Sequence, residues 1–86
     1  MGLDTVELAM EIEEAFSLRF PDAAVREMAT VRDVVEFVAA ELAREGRPMS
    51  REDIFARVQR LTADKAGLDP GDVRWDDRFV QDLGLD

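Results

Sequence analysis

The sequence contains no cysteine and no histidine. Without cysteine there is neither a disulfide framework nor a thiolate metal site, and without either residue a Ser-His or Cys-His nucleophilic mechanism is excluded. Basic charge is scarce: 11 Lys and Arg stand against 20 Asp and Glu, a formal net charge of −9 and a pI of about 4.4. Binding a phosphate backbone needs cations to release counterions, so nucleic acid is not an expected partner, while a basic protein surface is the natural complement. No apolar run approaches the roughly 20 residues that span a bilayer, and the opening lacks the basic and apolar regions of a secretory leader. Met1-Gly2 fits the start of a myristoylation pattern, which then requires Ser or Thr where Val6 stands. A cytoplasmic protein without membrane contact is expected.

What remains is a chain of 86 residues, 47% of them apolar, enough to fold rather than stay disordered. Residues 1–86 read as a single domain, near the size at which a chain buries only ~60% of its unfolded surface and supports one modest core. The negative charge is concentrated at the two ends. Residues 1–18 hold Asp4, Glu7, Glu11, Glu13 and Glu14 and no base. Residues 69–86 hold six Asp against Arg74 and Arg78, while the nine acids and nine bases of residues 19–68 cancel. If the ends meet in space, one face is strongly acidic.

Helical periodicity dominates and nothing reads as a strand. Leu8, Ile12, Ala15 and Phe16 form one apolar stripe, with Asp4 in the first turn where the helix dipole favours an anion. Phe20-Pro21-Asp22 predicts a turn into a short helix over Ala23 to Met28, with Asp22 as its cap. Thr30 followed by Asp33 is a relative of the capping box and opens a helix carrying Val31, Val34, Val35, Val38 and Leu42. Gly46 and Pro48 end it. Ser50 caps the next helix, with Glu52 and Asp53 in its first turn and Ile54, Val58 and Leu61 along its buried face, until Gly67 stops it near Ala66. The short link from Gly46 to Met49 predicts that these two helices are antiparallel neighbours. From Leu68 to Asp86 the pattern is too irregular for a long helix and predicts an ordered loop pinned by Leu68, Val73 and Phe79.

Chemistry-bearing groups are few in kind. Two-carboxylate hydrolysis is formally open, but carboxylates in so acidic a small protein are mostly solvated surface, and no catalytic residue is assigned. Asp69, Asp72, Asp76 and Asp77 crowd one loop without the alternating ligands and central glycine of an EF-hand, so no dedicated metal site is expected. The sharper signal is the opening helix. Glu7, Glu11 and Glu14 share a face, with Val6 and Met10 beside them and off the buried stripe. Carboxylates around an adaptable Met suit docking on a basic patch with an apolar centre, and a solvated helix face is the plainer alternative.

Two segments then resemble a family. Asp4-Thr5-Val6-Glu7-Leu8-Ala9-Met10, Glu13-Glu14-Ala15-Phe16, Phe20-Pro21-Asp22 and Thr30-Val31-Arg32-Asp33-Val34-Val35 resemble the second half of an acyl carrier protein. Ala66-Gly67-Leu68-Asp69-Pro70, Val73 and Phe79-Val80-Gln81-Asp82-Leu83-Gly84-Leu85-Asp86 resemble its first half. Residues 1–45 thus match the second half and residues 54–86 the first, in reversed order, as in a circular permutation. The resemblance implies an all-α, small four-helix bundle of acyl-carrier type with permuted helix order and a long C-terminal loop.

In that family a Gly-x-Asp-Ser-Leu sequence supplies the serine that receives 4′-phosphopantetheine. Here Gly84-Leu85-Asp86 resembles the start of that sequence and Leu3 its end, with Gly2 in the serine's place. Ser17, Ser50 and Thr5 stand outside the motif. No covalent pantetheine is therefore expected, the vacancy being flanked by Asp86, Gly2 and Leu3. The docking surface that the resemblance implies is Leu3, Asp4, Val6, Glu7, Met10, Glu13 and Glu14. Its implied partners are acyl-chain-processing enzymes of fatty-acid or polyketide metabolism, or other carrier-binding proteins with basic patches, met by a monomer or a helix-swapped dimer. A covalent carrier that survives the permutation and an interaction domain unrelated to acyl transfer are the alternatives. The resemblance gives Trp75 no role; loop packing and partner anchoring both remain open for it.

Overall fold

The computed structural model describes residues 3–86 and is all-helical, with no strand among those residues. Helix α1 is Leu3–Phe16, α2 Asp22–Glu27, α3 Val31–Arg44 and α4 Arg51–Ala66, followed by a 3-10 turn at Pro70–Asp72. The radius of gyration is 11.8 Å, close to the ~12 Å of a compact chain of this length.

The local signals act as their chemistry predicts. The Thr30 hydroxyl accepts from the Asp33 N–H at 3.2 Å, while Asp33 Oδ2 accepts from the Thr30 N–H at 3.1 Å, a complete capping box. The Ser50 hydroxyl accepts from the Asp53 N–H at 3.1 Å and starts α4. Gly67 ends α4 in the left-handed region, φ 72°, where a Cβ would be strained. The expected cap of α2 is corrected: Pro21 holds that position and contributes no side-chain bond, and Asp22 lies inside the first turn. There its carboxylate acts only through the dipole.

Helices α3 and α4 pack against each other, and α4 also packs on α1. Their buried faces form one core around Ile12, Val35, Val38, Leu42, Ile54 and Val58. Two expected core positions are wrong. Ala15 is exposed, because α1 ends one residue later and Ser17 turns the chain with φ 54°, so that Leu18 and Phe20 close that end of the core. Leu68 is 40% exposed, since the left-handed Gly67 directs the chain outward. The loop is anchored instead by Val73, Phe79, Leu83 and Leu85.

The C-terminal segment is ordered by hydrogen bonds as well. It clasps the start of α3: the Val31 N–H donates to the Asp77 carbonyl at 3.0 Å, the Arg32 N–H to that of Trp75 at 2.7 Å, and the Phe79 N–H to that of Ala29 at 3.1 Å. The first two satisfy donors that a helix N-terminus leaves without an intrahelical partner. Arg47, in the link between α3 and α4, does the converse at the end of α1. Its guanidinium donates to the carbonyls of Phe16 at 3.1 Å and Ser17 at 3.3 Å, a cation at the negative end of the dipole.

Candidate functional site

The last residue of the chain meets the first turn of α1. The Thr5 N–H, in the first turn of α1, donates to the Asp86 backbone oxygen at 3.0 Å, and Leu85 just before it is buried. The segment that ends Gly84-Leu85-Asp86 and the helix that starts at Leu3 are thus spatial neighbours. Gly2, the position expected to lack an attachment hydroxyl, lies outside the described residues. Of the other hydroxyls, that of Ser50 is engaged as a cap, Ser17 sits in the turn after α1, and Thr5 is half-buried at the junction.

The seven expected docking residues lie on α1 and divide into four groups. Leu3, Val6 and Met10 are exposed apolar side chains, 70%, 40% and 60% accessible, at helical spacing along one side. Glu7 faces α4, where Lys65 Nζ lies 3.4 Å from Glu7 Oε1 and 2.6 Å from Glu11 Oε2. These carboxylates raise the Lys65 pKa above its ordinary value, Glu11 having the larger effect, and hold the amine charged. Glu13 belongs to the fold: its Oε2 accepts from the Phe20 N–H at 2.6 Å and fixes the turn after α1. Asp4 is half-buried and Glu14 exposed, and neither enters an ion pair found among the described residues. The α1 surface is therefore an exposed apolar row with a partly neutralised acidic edge.

Elsewhere the acidic ends are compensated more than their composition suggests. Arg32 binds Asp76 through two nitrogens, at 2.7 and 3.3 Å, and holds its carboxyl below the ordinary range. Asp82 is likewise held down by Arg78, whose guanidinium and backbone N–H both donate to it. Asp77 accepts from the Arg74 N–H at 2.8 Å. Among the described residues no group of three or more potential ligands gathers around a point that could hold a metal ion. Trp75 is half-buried and packs within the fold, stacked on Phe55 with ring centroids 4.3 Å apart and the Arg32 guanidinium 5.3 Å from its centroid.

Behind α1 is a cavity of about 340 Å³ lined by Leu8, Ile12, Phe20, Val25, Val34 and Phe79 among others, with Arg26 the one charged residue of its lining among the described residues. Sequence periodicity marks Leu8, Ile12 and Val34 as core and carries no signal that they leave space. A fully buried Thr62 hydroxyl on α4, without a hydrogen-bond partner among the described residues, is equally silent in the pattern.

No helix of the described residues is long and apolar enough to cross a membrane. No family model matches the chain, and no solved structure matches it. Over 40 residues it is 54% identical to the acyl carrier protein of Prochlorococcus marinus (strain MIT 9515), a stretch that makes up 46% of this chain and 50% of that protein. The matched stretch thus spans half the length of this curated relative, and over it the chain is acyl-carrier-like, on an all-α bundle.

Proposed function

We propose that the chain is a carrier-like module of fatty-acid or polyketide metabolism that docks on partner enzymes through α1 and carries no phosphopantetheine arm of its own. The observation that supports this best is the Thr5–Asp86 hydrogen bond, which rejoins in space the two segments that resemble the halves of a carrier, in reversed order along the chain. In the sequence, Gly2 precedes Leu3 where the family has serine, and glycine offers no oxygen to phosphorylate. The exposed row of Leu3, Val6 and Met10, with Asp4 and Glu14 nearby, suits a basic partner patch with an apolar centre. Rim carboxylates contribute at most ~1 kcal/mol each, so affinity rests mainly on the apolar contacts while charge steers the encounter.

The test is binding to carrier-dependent enzymes of acyl metabolism by the wild type and by Met10→Glu and Glu14→Lys. Both substitutions fall on exposed positions and leave the core untouched. Loss of binding with Met10→Glu and a several-fold weakening with Glu14→Lys support the proposal. Indifference of both points to an interaction domain unrelated to acyl transfer.

A further inference from the structure

Lys65 is the one lysine of the chain; the other ten bases are arginine. It sits in the last turn of α4 with its side chain only 20% exposed, and its amine reaches across to Glu11 at 2.6 Å and Glu7 at 3.4 Å. Those two carboxylates are one helical turn apart on α1 and remain 42% and 47% exposed. Solvent, and any partner, can therefore reach them from the other side. An ammonium suits such a position because it is a compact charge on a flexible stem, able to share itself between two carboxylates and to let go of either.

We infer that Lys65 is an internal counter-ion of the docking helix, which competes with basic side chains of a partner for Glu7 and Glu11 and so weakens and tunes docking on α1. The inference rests on the proposed docking role of that helix. With Lys65 in place the pair presents one net negative charge instead of two, while the neighbouring Val6 and Met10 are unaffected. A partner guanidinium arriving at Glu7 or Glu11 must displace the amine or share its carboxylate. Affinity is lowered by about the worth of one exposed ion pair, roughly two- to fivefold, and the association rate depends less steeply on salt than the carboxylate count of α1 alone would give.

The test uses a short amidated helical peptide carrying two arginines one turn apart beside leucines, with its glutamine counterpart as control, titrated by NMR at low salt into three full-length proteins. They are the wild type, Lys65→Met, which keeps the buried stem without the charge, and Lys65→Arg, which keeps the charge. The expected result is wild-type shifts centred on α1, two- to fivefold tighter binding and a steeper salt dependence for Lys65→Met, and near wild-type behaviour for Lys65→Arg. The gain should vanish when Glu7→Gln and Glu11→Gln are added to Lys65→Met. If Lys65→Met is folded by circular dichroism yet binds no more tightly than the wild type, the inference falls while docking on α1 stands. If the peptide shifts α1 in none of the proteins, both fall.

Discussion

Replacing Thr62 by valine should make the protein more stable. Thr62 lies in the interior of α4, is fully buried, and its hydroxyl has no hydrogen-bond partner among the described residues. A hydroxyl taken from water without compensation costs about 1–3 kcal/mol. Valine has nearly the same shape, the same branching at Cβ and a similar helix propensity, and it adds apolar contact where the oxygen was. The expected gain is therefore about 1 kcal/mol, which for a domain of this size raises the melting temperature by roughly 4–8 °C. Urea titration followed by circular dichroism should show a higher midpoint at unchanged slope. Thr62→Ser separates the two groups on Cβ, since it keeps the hydroxyl and removes the methyl, and it should destabilise by about 1 kcal/mol through the void left in the core. A neutral or destabilising valine would show that the hydroxyl is not an uncompensated group. That outcome would mean the hydroxyl is satisfied in solution, most simply by the Val58 carbonyl one turn back.

Two further outcomes follow from the caps and the paired carboxylates. Gly67→Ala should destabilise by about 1 kcal/mol in urea, because a Cβ there meets no neighbouring atom within 4 Å and the cost is the positive φ alone; an unchanged midpoint would contradict the capping role. The folded-state pKa of Asp82 is depressed by Arg78, so its stabilisation is present above the unfolded carboxylate range of about 4 and is lost as pH falls through the lower folded value. Asp82→Asn should thus lower the melting temperature at neutral pH and flatten the acid side of its pH profile, and a variant profile parallel to the wild type would contradict this.

Much of the fold is legible in the sequence because the signals are local. Thr30 with Asp33, Ser50 with Asp53, and Gly67 each act within one helical turn, so residue type and spacing suffice. Where a contact depends on the path of the chain between helices, the pattern fails. Ala15 has the spacing of a core residue, yet the turn at Ser17 gives its place to Leu18 and Phe20. Leu68 fails for the same reason, once Gly67 redirects the chain. The candidate site shows a similar division. The acidic helix and its exposed Val6 and Met10 can be read from spacing, but the neutralisation of Glu7 and Glu11 by Lys65 cannot, since 58 and 54 positions separate the partners. Nor can the structural use of Glu13, whose carboxylate is aimed at the Phe20 N–H by a turn that spacing does not specify.

The proposed module is a carrier-shaped bundle in which Asp86 meets the start of α1 and the sequence before Leu3 supplies no attachment hydroxyl. It is tested by intact mass after incubation of the full chain with a phosphopantetheinyl transferase and coenzyme A, beside a Gly2→Ser variant that restores a hydroxyl directly before Leu3. The wild type should gain no mass and the variant a single phosphopantetheine. A specific gain in mass on the wild type, mapped to Thr5 or any other hydroxyl, would contradict it.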